Sequence, residues 1–115
     1  IRWQGKCREM FLYHNARSVL AELESGNLAL VTLNCSCEYF EELKAFDEIT
    51  VKMYLQKMVQ NKISMLFDYY KRTGASEKLV AKGKQETACM ARKDGQYVVT
   101  AIPKELHDAL MEYQE

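Results

Sequence analysis

The chain has 115 residues, 16 basic and 16 acidic side chains, and an isoelectric point of about 6.9. That length suits one domain, residues 1–115, and the balanced charge leaves no basic field to hold nucleic acid or an anionic membrane surface. No apolar run approaches the roughly 20 residues that span a bilayer and no signal peptide opens the chain, so the expectation is a soluble cytoplasmic protein with neither nucleic-acid nor membrane partners.

From the start, Trp3, Cys7, Met10 and Phe11 fall at helical spacing, and Leu12, Ala16, Val19, Leu20 and Leu23 carry the period to a stop at Ser25-Gly26. This predicts one long helix, kinked near Asn15. Beyond Gly26 the period becomes two: Ala29, Val31, Leu33, Cys35, Cys37 and Tyr39 alternate with Leu30, Thr32, Asn34, Ser36 and Glu38, the pattern of a strand with one face inward. The segment from Glu41 to Asp47 breaks the alternation. Ile49, Val51, Met53 and Leu55 restart it, and Ile63, Met65, Phe67 and Tyr69 continue it across the polar turn Gln60-Asn61-Lys62, giving a long hairpin. Leu66 and Tyr70 stand on the opposite parity. Lys71 to Lys78, with Gly74 and Ser76, reads as a turn, and Leu79 to Arg92 as a strand. Asp94-Gly95 then marks a tight hairpin, because a type I′ turn needs positive φ at both central residues. Tyr97 to Ile102 returns, and Pro103 starts a short helix with Leu106, Ala109, Leu110 and Tyr113 on one stripe. The predicted class is α+β, with a long antiparallel sheet of about five strands curled around a long central helix.

Few side chains suggest chemistry. Cys35 and Cys37, two apart on a strand, share a face but lack zinc-knuckle spacing, and His14 and His107 have no ligand partner at suitable spacing. The reading is therefore no metal, no cofactor, and reduced cysteines in a core that includes Cys7 and Cys89. No serine sits in a nucleophile elbow and no glycine-rich phosphate loop exists, which argues against triad hydrolysis and ATP chemistry.

The runs "RWQGKCREMFLYH", "LVTLNCSCEYFEELKAFDEITVKMYLQ", "LVAKGKQETACMARKDG" and "AIPKEL" resemble, in order and spacing, the hotdog-fold thioesterases of enediyne polyketide biosynthesis, a branch of the 4-hydroxybenzoyl-CoA thioesterase-like superfamily. The resemblance covers nearly the whole chain, and Trp3 to Glu9 is its most specific part. It implies a hotdog fold and a thioesterase that releases a polyene or β-ketoacyl chain from the acyl carrier domain of an iterative polyketide synthase. The released β-keto acid then loses carbon dioxide. It also implies a homotetramer, a dimer of dimers with active sites at the dimer interface. Family members carry an asparagine-bearing strand upstream of the helix. This chain begins at Ile1, inside the motif, so that strand is expected from a longer chain or from a partner.

Arg8 is the catalytic candidate the resemblance points to. It shares a helical face with Gln4 and Leu12, while Cys7 and Phe11 lie on an adjacent face expected to meet the sheet, and Gly5 is expected to let a ligand or backbone approach. A guanidinium there would hydrogen-bond the thioester carbonyl and stabilise the oxyanion made by water attack, or hold the product carboxylate. Without the resemblance, Arg8 reads as a solvent-facing residue paired with a nearby acid. Glu9, about 100° around the helix, is the alternative as base or nucleophile. Phe11, Leu12 and Phe67 are candidates for an acyl channel, with Met53 and Met65 assigned to the core.

Overall fold

The computed structural model describes residues 2–41 and 47–114; the Trp3 side chain and the Ala45-Phe46 pair lie outside the described residues. The first helical pattern forms two helices, α1 (Arg2–Asn15) and α2 (Arg17–Ser25), rather than one kinked rod. Ala16 breaks it at φ −151° and ψ 59°, although its N–H still bonds the Leu12 carbonyl and its carbonyl accepts from Leu20. Gly26, at φ 83°, ends α2 in the left-handed conformation that only glycine adopts without strain.

Five antiparallel strands follow: β1 (Leu28–Tyr39), β2 (Glu48–Val59), β3 (Lys62–Thr73), β4 (Ser76–Lys93) and β5 (Gln96–Val99). The order is β1-β4-β3-β2, with β5 on β4 beyond the end of β3. Helix α3 (Lys104–Met111) starts directly after Pro103. No helix among the described residues is long and apolar enough to cross a membrane.

Most of the alternation survives. Ile63, Met65, Phe67 and Tyr69 on β3 are all buried, as are Met53 and Leu55 on β2, and they meet Leu12, Val19, Leu106 and Leu110 from the helices. Leu66 and Tyr70 on the other face are half-buried. The β1 parity departs from expectation. Its pairing with β4 shifts between Thr32 and Asn34, so Leu28 and Leu30 share the helix-facing side with Cys35 and Cys37, while Ala29 and Val31 turn outward. A bulge adds one residue, and one residue is all it takes to exchange the faces. Lys71 to Lys78 is not a turn: β3 runs to Thr73 and β4 starts at Ser76, leaving Gly74-Ala75 as the connection. The return strand is shorter than expected, ending at Val99. Asp94 and Gly95 have φ of 51° and 78°, as a two-residue hairpin of this type demands.

Candidate active site

Helix α1 crosses the inner face of β4 in matched steps. Four helical residues rise about 6 Å and two strand residues about 6.7 Å, so Gln4, Arg8 and Leu12 keep pace with Gly83, Gln85 and Thr87. β4 alternates strictly here. Lys82, Lys84 and Glu86 take the outer face, so Gly83, Gln85 and Thr87, none of them charged, look at the helix.

Gln4 is fully buried, and its Nε2 donates to the Ser36 carbonyl on β1 at 3.1 Å. Its amide lies so close to the Cα of Gly83 that a β-carbon there would collide with it. Gly83, not Gly5, is therefore the glycine that permits close approach; a β-carbon on Gly5 would meet nothing. Beside Gln4 lies the Tyr69 hydroxyl. Burial raises its pKa to about 12, against the opposing influence of Gln4. Gln4 Oε1 and Thr87 Oγ1 are buried with no hydrogen-bond partner among the described residues.

Arg8 is half-buried, and its Nη1 donates to Gln85 Oε1 at 2.9 Å. Burial lowers its pKa and the charge of neighbouring Glu9 opposes that shift. Among the described residues no carboxylate lies within ion-pair distance of Arg8. The solvent-facing reading of Arg8 therefore fails. The face it shares with Gln4 and Leu12 is the one most deeply packed on the sheet, whereas Cys7 on the adjacent face is half-buried, its thiol pKa raised by burial.

Two clefts flank α1. One, of about 860 Å³, runs between the helices and β1 and is lined by Arg8, Glu9, Leu12, Leu20, Leu23, Leu30 and Tyr97. The other, of about 880 Å³, separates α1 from β2 and is lined by Cys7, Met10, Phe11, Val51, Met53 and Tyr113. The structure thus brings Arg8, Glu9 and Leu12 to one cleft and Phe11 to the other. Phe67 has no exposed surface and lies in the core. Glu9 is exposed. Gln85, Gly83 and Thr87 were not among the sequence candidates; their signal was the strict alternation with Lys82, Lys84 and Glu86. All four cysteines are free and only Cys89 is fully buried. Among the described residues no three His, Cys, Asp or Glu side chains are placed to hold a metal ion.

Residues 1–110 match the thioesterase-like superfamily. Among solved structures, the chain is similar to the dynemicin thioesterase, crystallised to reveal induced-fit and allosteric effects upon polyene binding, at 40% sequence identity and a TM-score of 0.91, covering 99% of this chain and 80% of that one. It is also similar to a Pseudomonas aeruginosa protein, at 18% identity and a TM-score of 0.80 over 98% of this chain and 74% of the other. Against 4-hydroxybenzoyl-CoA thioesterase the values are 11% and 0.74, over 95% and 80%. At these last two identities the likeness is one of fold. No curated protein gives a significant match.

Proposed function

The chain belongs to the thioesterase-like superfamily and is a thioester hydrolase of hotdog fold, and from that premise we propose that it releases a polyene or β-ketoacyl chain from the acyl carrier domain of an iterative, enediyne-type polyketide synthase. The 40% identity to the dynemicin thioesterase over 99% of the chain carries this reading. The β-keto acid so formed then loses carbon dioxide.

In this reading the thioester enters the cleft between the helices and β1, with its carbonyl oxygen toward Arg8 and its chain along Leu12, Leu20 and Leu30; Phe11 lines the second cleft across α1. Water adds to the carbonyl carbon, and the oxyanion accepts N–H groups of the guanidinium. Collapse breaks the C–S bond, and the pantetheine sulfur departs with the proton that the water gives up. No covalent nucleophile takes part. What supports the role of Arg8 is its uncancelled charge at a half-buried position, where each N–H dipole acts in a weaker dielectric than water.

Arg8→Ala is expected to lower hydrolysis of an acyl-carrier-bound or acyl-pantetheine thioester by roughly 10² to 10³, the scale for loss of one oxyanion donor. Arg8→Lys should recover little, since an ammonium is a point charge and not a planar fork of donors. Glu9 lines the same cleft and is the rival. If Glu9→Gln abolishes turnover while Arg8→Ala is near wild type, the carboxylate is the catalyst and this mechanism is wrong.

The proposal includes a homotetramer built as a dimer of dimers. The outer edge of β1 has no strand partner among the described residues, and Val31 and Leu33 along it are 44% and 46% exposed. Such an edge invites pairing with another chain. Light scattering should give four chains per particle; a stable monomer at micromolar concentration contradicts it.

A further inference from the structure

We infer that Gln85 is a positioning residue for hydrolysis, one that fixes the Arg8 guanidinium from the sheet side while leaving its positive charge uncancelled. The inference rests on the oxyanion role given to Arg8 above and goes one step beyond it, to what makes that arginine usable.

Three observations meet at Gln85. It is 4% exposed, on the inner face of β4 between Cys35 on β1 and Met65 on β3. Its Oε1 accepts from Arg8 Nη1 at 2.9 Å, the length of a hydrogen bond assisted by charge. And the carboxylate next to it in sequence, Glu86, takes the opposite face of the strand, where Ser64 Oγ donates to it at 3.3 Å. A register change of one residue would set that carboxylate against the guanidinium. The chain instead presents a neutral amide inward and the acid outward.

The chemical consequence follows from the donor inventory. A guanidinium carries five N–H donors, and the amide oxygen takes one of them, leaving the others to face the cleft that Arg8 lines. A carboxylate at the same place would take two donors in parallel and neutralise the charge that a developing oxyanion needs. Maximal stability would favour that salt bridge, because a half-buried cation without a counter-ion is costly. Its absence among the described residues marks a site arranged for charge that arrives during the reaction.

The amide's role separates cleanly from that of a mere anchor under α1. Gln85→Glu preserves shape and the bond to Arg8 and adds a counter-ion. If Gln85 only anchors the helix, this variant melts at or above the wild-type temperature and turns over at the wild-type rate. The inference expects the melting temperature held or raised, with kcat on decanoyl-pantetheine lowered about ten- to a hundredfold and KM little changed, the range that a hydrogen bond to a charged group corresponds to. Gln85→Met removes the acceptor without adding charge and decides the matter if the glutamate variant does not fold: lowered kcat with unchanged KM supports positioning, and wild-type kcat overturns it. Arg8→Ala, assayed beside both, separates the two levels. An active Arg8→Ala sinks the oxyanion reading itself; an inactive Arg8→Ala with a fully active Gln85→Glu sinks only the role of Gln85.

Discussion

The two ends of the helical layer rest on different ground. Along the first half of α1, the sheet offers Gly83, Gln85, Thr87 and Tyr69, and the helix answers with Gln4 and Arg8. Under the second half of α1, α2 and α3 the surface is aliphatic and aromatic: Leu12, Val19, Leu106 and Leu110 meet Leu55, Ile63, Met65 and Cys89 in one apolar cluster. Both ends are well buried. Only the first contains polar atoms without partners, Gln4 Oε1 and Thr87 Oγ1, and an arginine without a carboxylate. Apolar burial stabilises at roughly 25 cal/mol per Å² wherever it occurs, whereas a buried polar group short of a partner costs about 1–3 kcal/mol. The apolar end therefore holds the fold, and the polar end is carried by it.

Phe67 offers the largest test of that division. It was a channel candidate by sequence, yet it has no exposed surface and lies opposite Met53 on β2 and Gly83 on β4. Phe67→Ala should cost about 3–5 kcal/mol in chemical denaturation, as a cavity in a close-packed core does. A loss below about 1 kcal/mol together with a changed acyl-chain preference would return Phe67 to the channel.

Gly83→Ala probes the polar end with the smallest possible change. One methyl group must displace the Gln4 amide, and the Ser36 carbonyl is 3.2 Å away on the other side. Overpacking of this kind costs about 1–3 kcal/mol, and tilting α1 at Gln4 should also slow turnover one helical turn away at Arg8. Equal stability and unchanged kcat would show that the polar column tolerates slack.

How much of this was legible depends on how local the cause is. Asp94-Gly95, Pro103 and the apolar phase of Ile63 to Tyr69 act through their own backbone or their own strand, and each appears where the sequence put it. The β1 face was misread because a bulge near Leu33 has no composition of its own; Thr32, Leu33 and Asn34 read as ordinary alternation. The break at Ala16 likewise has no proline or glycine to announce it. Arg8 and Gln4 were placed toward solvent's side of the helix because they are polar. What buries them is across the chain: a glycine gap at Gly83 and an acceptor at Gln85, some 80 residues away and readable only as uncharged members of a lysine-rich strand. Fold followed from near neighbours, and the site from distant ones.

Alkaline titration sharpens the same contrast from within the polar end. Tyr69 loses its proton near pH 12 in the folded chain, because burial disfavours the phenolate, and near its ordinary value of 10 once unfolded. Between those values the unfolded state binds fewer protons, so stability falls as pH rises; below about 10 both states are protonated and Tyr69 contributes no slope. Denaturation midpoints for wild type and Tyr69→Phe should diverge only in that window, with the wild type steeper. Parallel curves from pH 9 to pH 12 would mean that the hydroxyl reaches water.

The smallest effect belongs to the apolar end and to its one polar stitch. Helix α2 begins without a side-chain cap of its own, since Ala16 occupies that position. Glu105, in the first turn of α3, supplies one from across the layer: Ser18 donates its backbone N–H to Oε1 at 3.2 Å and its hydroxyl to Oε2 at 2.6 Å. A carboxylate at a helix N-terminus satisfies an orphan donor and meets the positive end of the dipole, but this one is exposed and screened by water. Glu105→Ala should therefore cost about 0.5–1 kcal/mol, the lower part of the range for a lost cap, and leave thioester hydrolysis untouched because the stitch is remote from Arg8. Glu105→Gln should retain part of that stability by keeping one acceptor. A Glu105→Ala variant that loses activity at full stability would mean the two ends communicate, and the division between scaffold and site would have to be redrawn through α2.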